Sequence, residues 1–215
     1  MKQNKLFPMV FLWMFAGLLV TALTSLFVVS NPNILLNVFG SSVYFILILL
    51  EFGLVIFLSA RIHKMSYLTA ATSFLLYALV TGITCAGILV VYQIGSIILM
   101  FGLTAFLFLI FGIIGYVTNL DLSKIGTILF IGLVGIILVG LVNFFLGNTI
   151  LDMIICIVGI VIFLGLVMYD VNKIKAYLMD GDAPNKMAIY GALELYLDFI
   201  NIFLYLLRLF GKSND

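Results

Sequence analysis

Long apolar runs recur along the chain, at about 7–29, 38–60, 67–91, 94–117, 125–146, 150–171 and 187–210, with short polar stretches between them. Each is close to or above the roughly 20 residues an α-helix needs to cross a bilayer. Strands of a membrane barrel would be about ten residues long and would alternate apolar with polar. These runs do neither, so the pattern predicts helices. Pro8 falls in the first turn of the first run, and Pro32 and Pro184 fall in connecting loops, so no proline breaks a helix interior. Gly53, Gly82, Gly112, Gly115, Gly159 and Gly165 lie inside the runs, where small residues let helices approach closely. The first run follows Lys2 and Lys5 but is too long for the apolar core of a cleaved signal peptide. It is expected to remain as a helix.

Composition removes the soluble alternative. Of 215 residues, 65% are hydrophobic and 9% charged, against roughly 25% charged in an ordinary soluble domain. Mean hydropathy is +1.36. Seven spans take roughly 140 residues and leave no room for a soluble domain. The expected fold is therefore all-α: one polytopic membrane domain over residues 1–215, with seven transmembrane helices. A net charge of +1 excludes nucleic-acid binding driven by bulk charge. Cys85 and Cys156 sit in apolar stretches without disulfide or zinc spacing and read as buried thiols.

Charge placement orients the chain. With the N-terminus in the cytoplasm, Lys2, Lys5, Arg61, Lys64, Lys124, Lys173, Lys175 and Lys186 all fall inside, while the loops near 30–37, 92–93 and 147–149 carry no Lys or Arg. Arg208 and Lys212 are the exceptions. Seven full spans put them outside, whereas a re-entrant last segment would put them inside. The run 187–210 is long enough to cross, which favours seven spans.

Glu51, Asp170, Glu194, Asp198 and Arg208 fall in or at the edge of hydrocarbon, where a central charge costs about 2.5–3.5 kcal/mol on insertion scales. Glu194 and Asp198 are four residues apart and share a helix face. Asn201, Tyr205 and Arg208 continue it, so the last helix carries a polar stripe and is expected at the centre of the bundle. At about 1.5 Å per residue, Asp198 lies about 12–16 Å from that helix's start, near the middle of a roughly 30 Å core. Val167, Val171, Ile174 and Leu178 extend the preceding helix to about 178, which sets Asp170 below the interface. If the two helices are adjacent, the aspartates meet. Two carboxyls in low dielectric cannot readily both ionise, so they share a proton. Protonated, they close on each other. Ionised, they repel and offer hard oxygen ligands suited to Ca²⁺.

Plainer readings stand beside these. Asp170 is also a helix-end carboxylate beside Lys173, and Asp198 a buried hydrogen-bonding group that fixes packing. Glu51 is also a structurally paired acid, Arg208 a snorkelling end residue, and His63 a surface histidine next to Arg61 and Lys64.

Several segments resemble the transmembrane Bax inhibitor motif family, also called the Bax inhibitor-1 family. GALELYLDFINIFLYLLRLFG at 191–211 resembles its last helix, YDVNKIK at 169–175 the end of its sixth, and Glu51 with Arg61 its second. Strong motif agreement covers about 30 residues near the C-terminus; elsewhere the agreement is architectural. The resemblance implies a pH-sensitive calcium leak channel with six helices around a central seventh. It implies that Asp170 and Asp198 are sensor and gate, that Arg61 is a partner of this pair, and that Glu51 lines the pore. Glu194 is a possible accessory acid. No cofactor is implied; Ca²⁺ is the transported ion, and protons and the lipid bilayer are the other partners.

Three other readings remain open. A proton-coupled calcium exchanger would use the same residues. A non-transporting regulator would bind a membrane protease or another membrane protein. An intramembrane aspartyl protease has its YD half in Tyr169-Asp170 but lacks the GxGD half, because Asp198 follows Leu195-Tyr196-Leu197.

Overall fold

The computed structural model describes residues 6–179 and 185–214; Lys2, Lys5 and Pro184 lie outside them, as does the side chain of His63. The described residues form eight helices: α1 (Leu6–Val29), α2 (Pro32–Phe39), α3 (Val43–Arg61), α4 (Tyr67–Val91), α5 (Ile94–Val117), α6 (Ser123–Leu146), α7 (Thr149–Met179) and α8 (Lys186–Phe210). One 3₁₀ turn, Ile62–Lys64, follows α3. Helices dominate because hydrocarbon offers no partner for backbone N–H and C=O groups, and a helix satisfies them within one segment. Among the described residues, six helices are long and apolar enough to cross a membrane: α1 and α3–α7. Their outward side chains are large and apolar, for example Phe145, Leu49 and Leu12. The chain is a multi-pass all-α membrane protein.

Two boundaries differ from the sequence pattern. The run 38–60 is broken at Gly40–Ser42, so α2 ends at Phe39 and α3 begins at Val43. Pro32 lies in a helix instead of a loop: it opens α2, where its missing N–H is not needed.

The chain divides into two compact units. The first comprises 1–94, 178–196 and 213–215; the second comprises 95–177 and 197–212. In the first, α1 packs closely on α4. Gly82 leaves space for Thr21 and Thr24, and Gly17 for Phe74 and Tyr196. Hydroxyls fasten the seam. Thr21 Oγ1 lies 3.0 Å from the Ala78 carbonyl and 2.6 Å from the Tyr196 hydroxyl, and Ser25 Oγ donates to the Gly82 carbonyl at 2.7 Å. Among the described residues of α3, only Leu58 is fully buried.

In the second unit, small residues set the spacing again. Gly115 sits against the Met168 carbonyl, Gly126 against the Tyr169 ring, and Gly165 against Leu129. Asn172 Nδ2 donates to the Gly115 and Thr118 carbonyls at 3.2 and 2.9 Å, which satisfies the open C-terminal end of α5. Gly147 ends α6 with φ of +62°, a conformation that glycine adopts without a steric penalty. Gly53 departs from expectation: nothing lies within 4 Å of where its Cβ would be, so it makes no close helix contact.

The two ends of α8 are tied to the two ends of α4. At its start, Lys186 Nζ donates to the Met65 carbonyl just before α4. Beyond its end, Asn214 N–H donates to the Val91 carbonyl at the end of α4. Its buried residues include Leu193, Tyr196, Phe199, Ile202 and Leu206, which share one broad face, while the stripe of Glu194, Asn201, Tyr205 and Arg208 lies on the less buried side.

Candidate functional site

Asp170 and Asp198 are both buried in the second unit, at 7% and 3% exposed. α7 continues past Asp170 to Met179. Asp170 is therefore well inside its helix, and the reading as a surface helix-end carboxylate does not fit. Lys173 Nζ nevertheless lies 3.8 Å from Asp170 Oδ1, one turn on, and over the Tyr169 ring at 5.6 Å from its centroid.

The register of α7 and α8 sets the aspartates at one level. The helices run antiparallel: Asp152 pairs with Arg208, Gly159 meets the Tyr205 ring, and the Phe163 and Tyr205 rings lie 6.1 Å apart. Two turns further on, about seven residues along each helix, Phe163 leads to Asp170 and Tyr205 leads back to Asp198. α5 gives the same level independently. The Phe108 ring packs edge-on against Phe199 at 5.7 Å. One turn away, a Cβ at Gly112 would touch Val171 at 3.9 Å. The residues next to both aspartates thus meet a single turn of α5.

The rest of the α8 stripe is accounted for residue by residue. Glu194 is half-buried. Asn201 Nδ2 donates to the Leu197 carbonyl on its own helix. Tyr205 fills the space left by Gly159. Arg208 does more than snorkel, since it forms an ion pair with Asp152 in the first turn of α7. The sequence reading did not single out Asp152. Its signal was available: an acid in a first turn, facing a base in the last turn of an antiparallel neighbour.

Glu51 and Arg61 lie in the first unit. Arg61 ends α3 with its side chain exposed. Glu51 is half-buried, and α4 supplies a hydroxyl for each of its oxygens. Thr81 Oγ1 donates to Oε1 at 2.8 Å and Thr84 Oγ1 to Oε2 at 2.9 Å. The sequence reading named neither threonine. Cys85, next to Thr84, is half-buried, and Cys156 is buried. Among the described residues, no three His, Cys, Asp or Glu side chains gather to hold a metal ion.

Comparison with known proteins agrees over nearly the whole chain. A family described as inhibitor of apoptosis-promoting Bax1 matches residues 3–215. An uncharacterized protein of Borreliella burgdorferi is 43% identical over 218 residues, covering 99% of this chain and 94% of that one. Inner membrane protein YbhL of Escherichia coli is 41% identical over 206 residues, covering 93% and 88% respectively. An uncharacterized protein of Deinococcus radiodurans is 34% identical over 206 residues, covering 94% and 88%.

Proposed function

The chain belongs to the Bax inhibitor-1 family, and from that premise we propose that it is a pH-sensitive calcium leak channel of the cytoplasmic membrane, gated by Asp170 and Asp198. The observation that carries this reading is the shared level of two buried carboxyls on adjacent helices. Two like charges close together in low dielectric disfavour one another, so such a pair favours a shared proton over two anions. Protonation lets one carboxyl donate to the other and holds α7 against α8. Deprotonation leaves two like charges that repel, and it exposes oxygens that suit Ca²⁺.

Arg61 tunes the pair by its positive charge. Glu51 draws cations into the pore, and Glu194 is an accessory acid. Basic residues at the cytoplasmic ends orient the N-terminus inward. Ca²⁺ and protons are the ligands, and no cofactor takes part.

Proteoliposomes with a trapped calcium dye test the mechanism. Wild-type protein should pass Ca²⁺ at a rate that varies with pH, and Asp170→Asn with Asp198→Asn should abolish that variation. A double variant that keeps both the flux and its pH response sinks the gate. Fixed-ratio proton counterflow would replace the leak with an exchanger.

A further inference from the structure

Glu51 is the only charged residue between Val43 and Ala60, on a helix that otherwise turns large apolar side chains such as Leu49 and Phe52 outward. Its two oxygens meet two hydroxyls on α4, and Thr81 and Thr84, three apart, share one helix face. Thr84 has a second acceptor. Its Oγ1 is 2.9 Å from Glu51 Oε2 and also 2.9 Å from the Thr81 carbonyl. A hydroxyl has one proton and two lone pairs. It can therefore turn its proton to the carbonyl, keep a hydrogen bond, and present a lone pair where the carboxylate lies.

The geometry points to a transit site for a hard divalent cation built from Glu51, Thr84 and Thr81, in which Thr84 releases the carboxylate and lends its oxygen to the ion. This rests on the reading of Glu51 as a pore acid and assigns that acid its partners and its ligand class. Ca²⁺ takes six to eight oxygens at about 2.3–2.6 Å. The carboxylate and two hydroxyls supply part of that shell, and water supplies the rest. One formal charge with neutral oxygens binds weakly, and weak binding is what conduction requires, since an ion must leave as readily as it enters.

Terbium(III), a luminescent stand-in for Ca²⁺, is the probe, titrated at fixed pH into purified full-length protein. Tyr77, one turn from Thr81 on α4, and Tyr44, two turns from Glu51 on α3, serve as sensitisers. The signal difference between wild type and Glu51→Gln reports the site. Thr84→Val should weaken that component about tenfold, the size of one lost contact to a charged group, and Thr84→Ser should restore it. In proteoliposomes the calcium-over-sodium preference should fall in Thr84→Val and hold in Thr84→Ser. The proposal is overturned if Glu51→Gln leaves the titration unchanged, or if the valine and serine variants bind alike. Wild type that binds terbium through Glu51 but passes no Ca²⁺ sinks the channel and leaves the site. Wild type that passes Ca²⁺ with a terbium titration indifferent to Glu51 sinks the site and leaves the channel.

Discussion

Gly115 and Gly53 carry opposite expectations for the same substitution. A Cβ on Gly115 would run into the backbone carbonyl of Met168, which cannot swing aside, whereas a Cβ on Gly53 meets nothing within 4 Å. Gly115→Ala should therefore destabilise the protein by about 1–3 kcal/mol, and Gly53→Ala should be neutral or stabilising by up to about 1 kcal/mol. Unfolding in detergent measures both; equal stability of Gly115→Ala and wild type would disprove the close approach of α5 and α7. The sequence marks both as small residues in apolar runs and cannot separate them, because only the neighbouring helix decides which glycine is crowded. Asp121, between α5 and α6, illustrates a contact that is local in sequence. The Ser123 side chain and then its backbone N–H, which donates to Asp121 Oδ1 at 2.9 Å, hold this carboxyl below the usual carboxylate range, with a smaller contribution from Lys124. A folded-state pKa below the unfolded value means stabilisation that is present above the unfolded value of about 3.9 and is lost as pH falls through the folded one. The difference in unfolding midpoint between wild type and Asp121→Asn should hold steady from neutral pH down to about 4 and close below it. A difference that widens on acidification would reverse the sign.

The α7–α8 interface shows what helical periodicity conveys and where it stops. The stripe of Glu194, Asp198, Asn201, Tyr205 and Arg208 is legible from spacing alone, because neighbours three and four apart must share a face. The partners of the stripe are not, because no spacing within α8 says which turn of which helix lies opposite. Asp152 for Arg208, Gly159 for Tyr205, and the threonine pair for Glu51 all come from tertiary packing. α2 was hidden differently: its apolar residues blend into the following run until Gly40–Ser42 break it, and Pro32 reads as a loop signal although it also suits a first helical turn. The Asp152–Arg208 pair holds the end of α7 opposite the aspartates' end of the interface. Its side chains are 37% and 45% exposed, so solvent and headgroups screen it, and the coupling should be only about 0.2–1 kcal/mol. A double-mutant cycle of Asp152→Asn and Arg208→Gln, read by unfolding in detergent, gives that energy. Strictly additive single effects would mean that the pair contributes nothing.

The direction of α8 fixes the topology of the molecule, and composition alone left it open. α8 carries Glu194, Asp198 and Arg208, so hydropathy does not count it among the apolar spans, and a re-entrant segment stays compatible with the charges. Hydrogen bonds at its two ends favour a crossing. Lys186 is tied to Met65 before α4. The tail is tied to the far end of α4, where Asn214 Nδ2 donates to the Val90 and Tyr92 carbonyls at 3.0 and 3.1 Å and Gln93 Nε2 donates to the Ser213 carbonyl at 3.0 Å. α8 therefore runs the length of α4 in the same direction, and Lys212 emerges on the same side as Gln93. With Lys64 on the opposite side, three positions report the arrangement, and all three are exposed. Single cysteines at Lys64, Gln93 and Lys212, in a background with Cys85 and Cys156 replaced by alanine, would be treated with a membrane-impermeant maleimide in right-side-out vesicles. Gln93→Cys and Lys212→Cys should label together, while Lys64→Cys is protected until the membrane is permeabilised. Lys212→Cys protected along with Lys64→Cys would mean that α8 turns back, and Asp198 would then no longer sit midway along a crossing helix. If all three reverse together, α8 still crosses but the N-terminus faces outward. The aspartate pair would then sample the opposite compartment's pH.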